Sequence, residues 1–280
     1  MAALKRLVDR LAAERCLPDA DMLALLAADG LTVSSMVVED DDECLGVNSR
    51  SQLAAASKIA QRRINEQLMA EGVTMLDPNL VWVGPDCIVE SDVELLPMTM
   101  LWGNTRVLSG CVVGPNTRLT DCAIGADNVL EEVVGIETTT ETGVTVGPRA
   151  YLRPGTYLCE GAHVGTHVEI KKSTVGPDSK VPHLSYIGDT TIGTDVNIGA
   201  GSITCNYDGV NKHQTVIGDF TFVGSNTMLV APVKLGSNVV TGAASCITKD
   251  VPDGALAVER NEQKIVEDWT ARRFKSKRTS

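Results

Sequence analysis

Residues 192–203 read "IGTDVNIGAGSI", two six-residue units laid end to end. Each begins with an aliphatic residue and a glycine, and four places after the aliphatic residue stands a small or branched one, Val196 or Ser202. The unit recurs from about residue 80 onward: "VGPDCI" from Val83, "VGPNTR" from Val113, "IGADNV" from Ile124, "VGPRAY" from Val146, "VGPDSK" from Val175, "VGSNTM" from Val223 and "LGSNVV" from Leu235. Repetition at a fixed period decides an architecture before any local propensity does. A short extended run puts alternate side chains on opposite faces, and Gly or Asn permits the turn because both tolerate left-handed backbone angles. Three units close a triangular coil, and stacked coils form parallel ladders about 4.8 Å apart. The fold read from the repeat is mainly β, a parallel β-helix of hexapeptide repeats. About nine or ten coils fit between residues 79 and 250, a rod on the order of 45 Å long.

The composition agrees. Of 280 residues, 43% are apolar but only 4% aromatic, as a narrow prism filled by aliphatic and small side chains requires. A net charge of −11 sets nucleic acid and anionic membrane surfaces aside as main partners. No run of about 18 apolar residues is present, so no membrane insertion is expected. The opening "MAALKRLVDRLAAERCLP" carries acids at helical spacing rather than the apolar stretch of a signal peptide. Eight cysteines are scattered without a CxxC pair, which reads as reduced thiols in a cytoplasmic protein.

Upstream of the repeat, "SRSQLAAASKIAQRRINEQLMAEG" has Leu53, Ala56, Ala60, Ile64 and Leu68 at helical spacing, with Ser or Asn available as a cap. The expected organisation is a short α/β remnant over residues 1–48, a linker helix over 49–71, the β-helix over 72–258 and a tail over 259–280. The remnant holds a helix in "DADMLALLAADG" and a strand in "TVSSMVVED", too little chain for a large core of its own. The tail ends in the basic run "ARRFKSKRTS" after Trp269.

Departures from the repeat point to chemistry. In the unit from Val181, Ser185 takes the inward slot, which leaves His183 on the outer face at a corner. Arg153 and Lys171 replace the turn glycine after Leu152 and Ile170, and Tyr186 and Asn197 hold the last, outward position of their units. Between Thr204 and Val216 the register is lost over thirteen residues, "TCNYDGVNKHQTV", read as a projecting loop that carries Asn206, Tyr207 and Lys212. Long ordered loops on a rigid scaffold are often functional. A zinc reading on His163, His167 and His183 fails on spacing: residues four apart on a strand lie about 13 Å apart, and no cysteine or carboxylate completes a tetrahedral set.

The runs "YLRPGTYLCEGAHVG", "VEIKKS", "KVPHLSYIGD", "NIGAGSITCNYDGVNKH" and "VGSNTMLVAPV" resemble the acetyltransferase half of the bifunctional GlmU enzymes. Those enzymes join a glucosamine-1-phosphate N-acetyltransferase to an N-acetylglucosamine-1-phosphate uridyltransferase. The resemblance covers residues 72–269. It implies a left-handed coil, an exception to the right-handed crossover rule, and a homotrimer with active sites between subunits. It also implies acetyl transfer from acetyl-CoA to the amine of glucosamine-1-phosphate on the way to UDP-N-acetylglucosamine and cell-wall precursors, with no metal required for that step.

Residue by residue, His183 matches the general base and Glu169 the carboxylate that orients its ring. Arg153, Lys171 and Lys212 match cations for the sugar phosphate, and Tyr186, Asn197, Asn206 and Tyr207 match residues around the sugar hydroxyls and amine. Ala200, Ser225 and Ala243 match backbone-mediated contacts to acetyl-CoA, with Lys249, Arg260 and Lys264 as charge for its phosphates and Trp269 as a tail position. Cys205 is read as packing, since direct attack by the freed amine needs no acyl carrier. The family's uridyltransferase half opens on a G-x-G-T-R loop that nothing here matches. Asn48 alone is kept of its Mg²⁺ site, as a vestige, and uridyl transfer is expected to be absent. Two other readings stay open: another hexapeptide-repeat acyltransferase, and a catalytically silent trimeric fragment.

Overall fold

The structure, a computed structural model, describes residues 24, 26–28, 30–32, 34 and 37–273. The chain divides into two units, residues 1–56 and 57–280. In the second, the repeat becomes what its period dictates. Among the described residues three parallel sheets of 11, 10 and 9 strands share the chain, and each strand pairs with those three strands before and after it until the last coil, where Val240–Thr241 pairs with Leu256–Ala257, two strands on. The first sheet runs from Thr74–Met75 to Leu256–Ala257, the second from Trp82–Val83 to Cys246–Ile247, and the third from Ile88–Val89 to Val233–Leu235. The expected parallel β-helix is therefore present, with a coil visiting each face in turn. The register shows where it is regular. His163 pairs with Lys180 and Lys180 with Asn197, each 17 positions on, whereas Asn197 pairs with Phe222, 25 positions on.

The prism is filled as the repeat predicts. Leu152, Leu158, Ile170, Ile187, Ile192, Ile198 and Ile217 are fully buried, and no Phe, Tyr or Trp is buried among the described residues. Many inward slots instead hold a hydroxyl, which must find an acceptor where water cannot reach. The Ser185 hydroxyl donates to the carbonyl of His183 at 2.8 Å, Ser202 to that of Gly199 at 2.7 Å and Thr227 to that of Gly224 at 2.6 Å. Corners are left-handed at Asn116, Asp178, Asp195 and Asn226, residue types that adopt φ near +55° readily. Leu184 does so as well, at φ 49°, although a bulky residue there costs roughly 1–3 kcal/mol.

Helix Arg50–Ala70 is capped as its first residues suggest: the Ser49 hydroxyl accepts from the N–H of Gln52 at 3.2 Å, and the Gln52 side chain accepts from the N–H of Asn48 at 2.8 Å. The expected apolar stripe is not what it buries. Leu53 and Ala60 are exposed, and the buried residues are Gln61, Asn65 and Leu68. The reason lies at the end of the β-helix, where the first coil has no coil before it and its carbonyls lack partners. The Gln61 amide donates to the carbonyls of Asn79 and Val81, and that of Asn65 donates to Pro78 at 2.8 Å and Val81 at 2.9 Å. Leu68 and Val73 then close the apolar interior, and Lys58 lies 4.6 Å over the Trp82 ring.

In the first unit, residues 26–28 are helical and Asp41–Cys44 form a 3₁₀ turn capped by the Asp40 side chain. The strand expected in "TVSSMVVED" does not form at residues 32, 34 or 37–40, its described part, where Val37 is 93% exposed. A single extended segment needs a partner edge to satisfy its backbone, and none of the described strands pairs with it. The expected character of residues 1–18 and of residues 274–280 lies outside the described residues.

Candidate active site

Strands Tyr151–Leu152, Glu169–Lys171, Tyr186–Gly188 and Ile203–Cys205 stack in that order in the second sheet. Register aligns Tyr151, Glu169, Tyr186 and Ile203 on one line, and Leu152, Ile170 and Ile187 on the next, inward one. By period two, Arg153, Glu169, Lys171 and Tyr186 share the outer face. Arg153 and Glu169 are thus diagonal neighbours on adjacent strands, within reach of long side chains. The guanidinium donates to Glu169 Oε1 at 2.8 Å, and that bond raises the Arg153 pKa.

Within one chain Glu169 meets Arg153, while His183 ends a strand of the first sheet, on the far side of the Leu184 corner. Among the described residues of this chain no hydrogen bond reaches the His183 ring. His183 itself is exposed on the outer face, as its register predicts.

Lys171 is more buried than a corner position suggests, with only 11% of its side chain exposed. The Lys212 ammonium lies beside it and, together with burial, pushes the Lys171 pKa below the usual lysine value, while Asp189 at 3.8 Å partly offsets this. Asn206 is buried too, and its amide donates to the same Asp189 carboxylate. The projecting loop is consequently shorter than thirteen residues: strands extend to Cys205 and resume at Thr215, and only residues 206–214 leave the coil. Burial pushes the Cys205 thiol pKa up, away from reactivity. Tyr207 stands 58% exposed on the loop.

Two residues of this patch escape single-position reading. Asp189 joins Lys171 and Asn206. Gly188 makes room: a Cβ there would stand 2.6 Å from the Tyr186 hydroxyl and 2.7 Å from Asn206 Nδ2, so both side chains lie over its bare backbone. The run "YIGD" carries both, but the repeat disguises its glycine as one more turn residue.

His183 heads a second alignment. It stands two places after the inward Val181, as Ala200 does after Ile198, Ser225 after Val223 and Ala243 after Thr241, on four successive strands of the first sheet. Hydrogen bonds tie these corners in sequence: Gly201 N–H to His183 O at 3.2 Å, Asn226 N–H to Ala200 O at 2.7 Å and Ala244 N–H to Ser225 O at 2.8 Å. Below the histidine the equivalent positions carry the small side chains of Ala200, Ser225 and Ala243. Asn197 lies in the same sheet, opposite Lys180 at the other end of the His183 strand, about 10 Å away along it. His163 bonds Thr145 Oγ1 through Nδ1 at 2.7 Å, and burial with the nearby Lys180 and His183 lowers its pKa. Lys249 lines an open groove of about 510 Å³ beside Cys246, Asp250 and Glu259. Arg260, Lys264 and Trp269 are exposed beyond it, and Asn48 is exposed in the first unit.

No family model matches the chain. Among curated proteins it is similar to the bifunctional protein GlmU of Desulfitobacterium hafniense, 49% identical over 255 residues, or 91% of this chain and 56% of that protein. It is likewise similar to the GlmU of Carboxydothermus hydrogenoformans, 51% identical over 249 residues (89% and 56%), and to that of Streptomyces coelicolor, 46% identical over 253 residues (90% and 52%). The chain spans about half the length of the curated relatives it matches, and the resemblance read from its motifs is borne out. Among solved structures, that of an Arabidopsis UDP-N-acetylglucosamine acyltransferase is similar over 64% of this chain and 70% of that one, at 16% identity and a TM-score of 0.36, too low to carry an argument.

Proposed function

We propose that this chain, which corresponds to about half of the bifunctional protein GlmU, transfers the acetyl group of acetyl-CoA to the amine of glucosamine-1-phosphate. One observation carries the reading. A cationic, hydrogen-bonding patch (Arg153, Lys171, Lys212, Asn206 and Tyr186) lies one corner away from an exposed imidazole, and a lane of small residues leads down from that imidazole. The patch suits a phosphorylated sugar: Arg offers a planar fork and Lys a point charge to phosphate oxygens. Two adjacent ammoniums are costly until a dianion lies between them, so the repulsion felt by Lys171 favours binding of phosphate. The lane Ala200–Ser225–Ala243 suits an extended thioester that must approach the backbone closely, and Lys249 and Arg260 supply charge toward its nucleotide end.

In the reaction His183 takes a proton from the substrate ammonium, and the freed amine attacks the thioester carbon. The N–C bond forms, the tetrahedral oxyanion collapses and the C–S bond breaks; the nitrogen gives up its second proton as the amide forms, and the thiolate of CoA takes up one in turn. Tyr186, Asn197 and Tyr207 border the sugar. The resemblance implies a homotrimer, in which a neighbouring copy would complete the surroundings of the exposed His183 ring. Release of CoA measured with a thiol reagent tests the reading: turnover with glucosamine-1-phosphate and none with glucosamine is expected. Turnover only with an unrelated amine or alcohol would assign another hexapeptide acyltransferase, and no turnover with any acceptor would leave a silent fragment.

A further inference from the structure

The loop of residues 206–214 is built around one carboxylate. Asp208 Oδ1 accepts from the N–H groups of Val210 at 2.7 Å and Asn211 at 2.6 Å, while Oδ2 faces His213 Nε2 at 2.7 Å. The backbone turns back on itself around that centre: Asp208 N–H reaches Asn211 O at 3.2 Å, His213 N–H reaches Asn206 O at 2.8 Å, and Tyr207 pairs antiparallel with Lys212. The Tyr207 hydroxyl closes the tip on Gly209 O at 2.6 Å. The product is a small hairpin that sets Lys212 opposite Tyr207 with its ammonium beside that of Lys171. Among the described residues no carboxylate pairs with Lys212.

We propose that Asp208 is a positioning residue of the acceptor site: its carboxylate folds the hairpin before substrate arrives and holds the Lys212 ammonium next to Lys171, where a sugar phosphate engages both. The assignment rests on the acetyl-transfer reading above. Ordering the hairpin in advance removes from the binding step the entropy of fixing a long, flexible cation. Three charge-assisted contacts from one carboxylate suffice to hold so short a loop. Asp208 touches no substrate in this scheme and acts only through Lys212.

Steady-state kinetics of the full chain with glucosamine-1-phosphate test it, using Asp208→Ala, Asp208→Asn, Lys212→Ala and the Asp208→Ala/Lys212→Ala double variant. Asp208→Ala is expected to raise KM for the sugar phosphate about tenfold, with a smaller change in kcat and in KM for acetyl-CoA. Asp208→Asn keeps an acceptor oxygen for the two amides and should recover most of the loss. The double variant should be no worse than Lys212→Ala alone, since both act through one ammonium. An unchanged KM in Asp208→Ala, or additive losses in the double variant, overturns the proposal.

Amide exchange at Val210 and Asn211 is read on the same proteins, with melting temperature as the check on folding. Exchange at least about tenfold faster in Asp208→Ala is expected, and unchanged exchange overturns the assignment whatever the kinetics. If the wild-type chain does not acetylate glucosamine-1-phosphate, the reading of function falls. Exchange, together with weakened binding of inorganic phosphate by Asp208→Ala, then still decides the role of Asp208.

Discussion

At the scale of the residue, the proposed function rests on side chains that break the repeat. His183 replaces what elsewhere is a turn residue, and the strained Leu184 beside it holds the corner that leaves the imidazole exposed to solvent. His183→Ala is expected to lower kcat by about two orders of magnitude or more while acetyl-CoA binding survives, because proton removal is lost and the small-residue lane is not. Rapid-quench turnover alongside a CoA-binding isotherm checks this, and a fully active variant would deny the imidazole a catalytic role. Gly188 presents the opposite case, a residue that matters for having no side chain. Gly188→Ala drives a methyl into the Tyr186 hydroxyl and the Asn206 amide. Overpacking of this kind costs about 1–3 kcal/mol, so KM for the sugar phosphate should rise by roughly tenfold or more, with KM for acetyl-CoA spared. Equal loss in both constants would place the disturbance elsewhere.

At the scale of the element, the helix and the loop show two ways of ending regular structure. Helix Arg50–Ala70 covers the first coil through the amides of Gln61 and Asn65 rather than through an apolar face. Asn65→Leu, nearly isosteric but unable to donate, removes the Asn65 donor from the Pro78 carbonyl and leaves the Val81 carbonyl with Gln61 alone. The expected loss is about 1–3 kcal/mol, visible as a lower melting temperature with unaltered kinetics at 25 °C. In the loop, the hydrogen bonds from Asn211, His213 and Val210 lower the Asp208 pKa from 3.8 to about 2. A carboxyl whose pKa falls on folding contributes stability that is fully present above its unfolded value and is lost as pH drops through the folded one. The hairpin should therefore be intact at pH 5 and loosen toward pH 2. The carbon shift of the Asp208 carboxyl should titrate with a midpoint near 2, and a midpoint at the ordinary value would mean that those bonds do not form.

At the scale of the whole molecule, the coil is quasi-one-dimensional, each turn resting on its neighbours. Such a rod can carry distant residues in fixed register: one face bears the cationic patch, and the adjacent corner bears His183 above the lane of Ala200, Ser225 and Ala243. The proposed function carries with it a homotrimer whose sites lie between copies. Light scattering is expected to give three times the 29.8 kDa chain mass, and activity should fall as dilution separates the copies. Full specific activity in a monomer would remove the shared-site arrangement.

What the sequence determined by itself was the architecture, because a six-residue period is a local property: each unit states which residue points inward, and that statement holds at every turn. The inward aliphatic residues, the aromatic-free interior and the outward place of His183 all follow from counting in twos along a strand. The left hand of the coil came from resemblance to a family, not from the period. What only the tertiary structure decided were contacts between residues 13 or more positions apart in the chain: Arg153 with Glu169, Asp189 with Lys171 and Asn206, Lys212 with Lys171, and Gln61 and Asn65 of the helix on the open edge. A period fixes the direction of a side chain, but its partner depends on which residue the next coil brings level with it, and a long side chain can reach any of several.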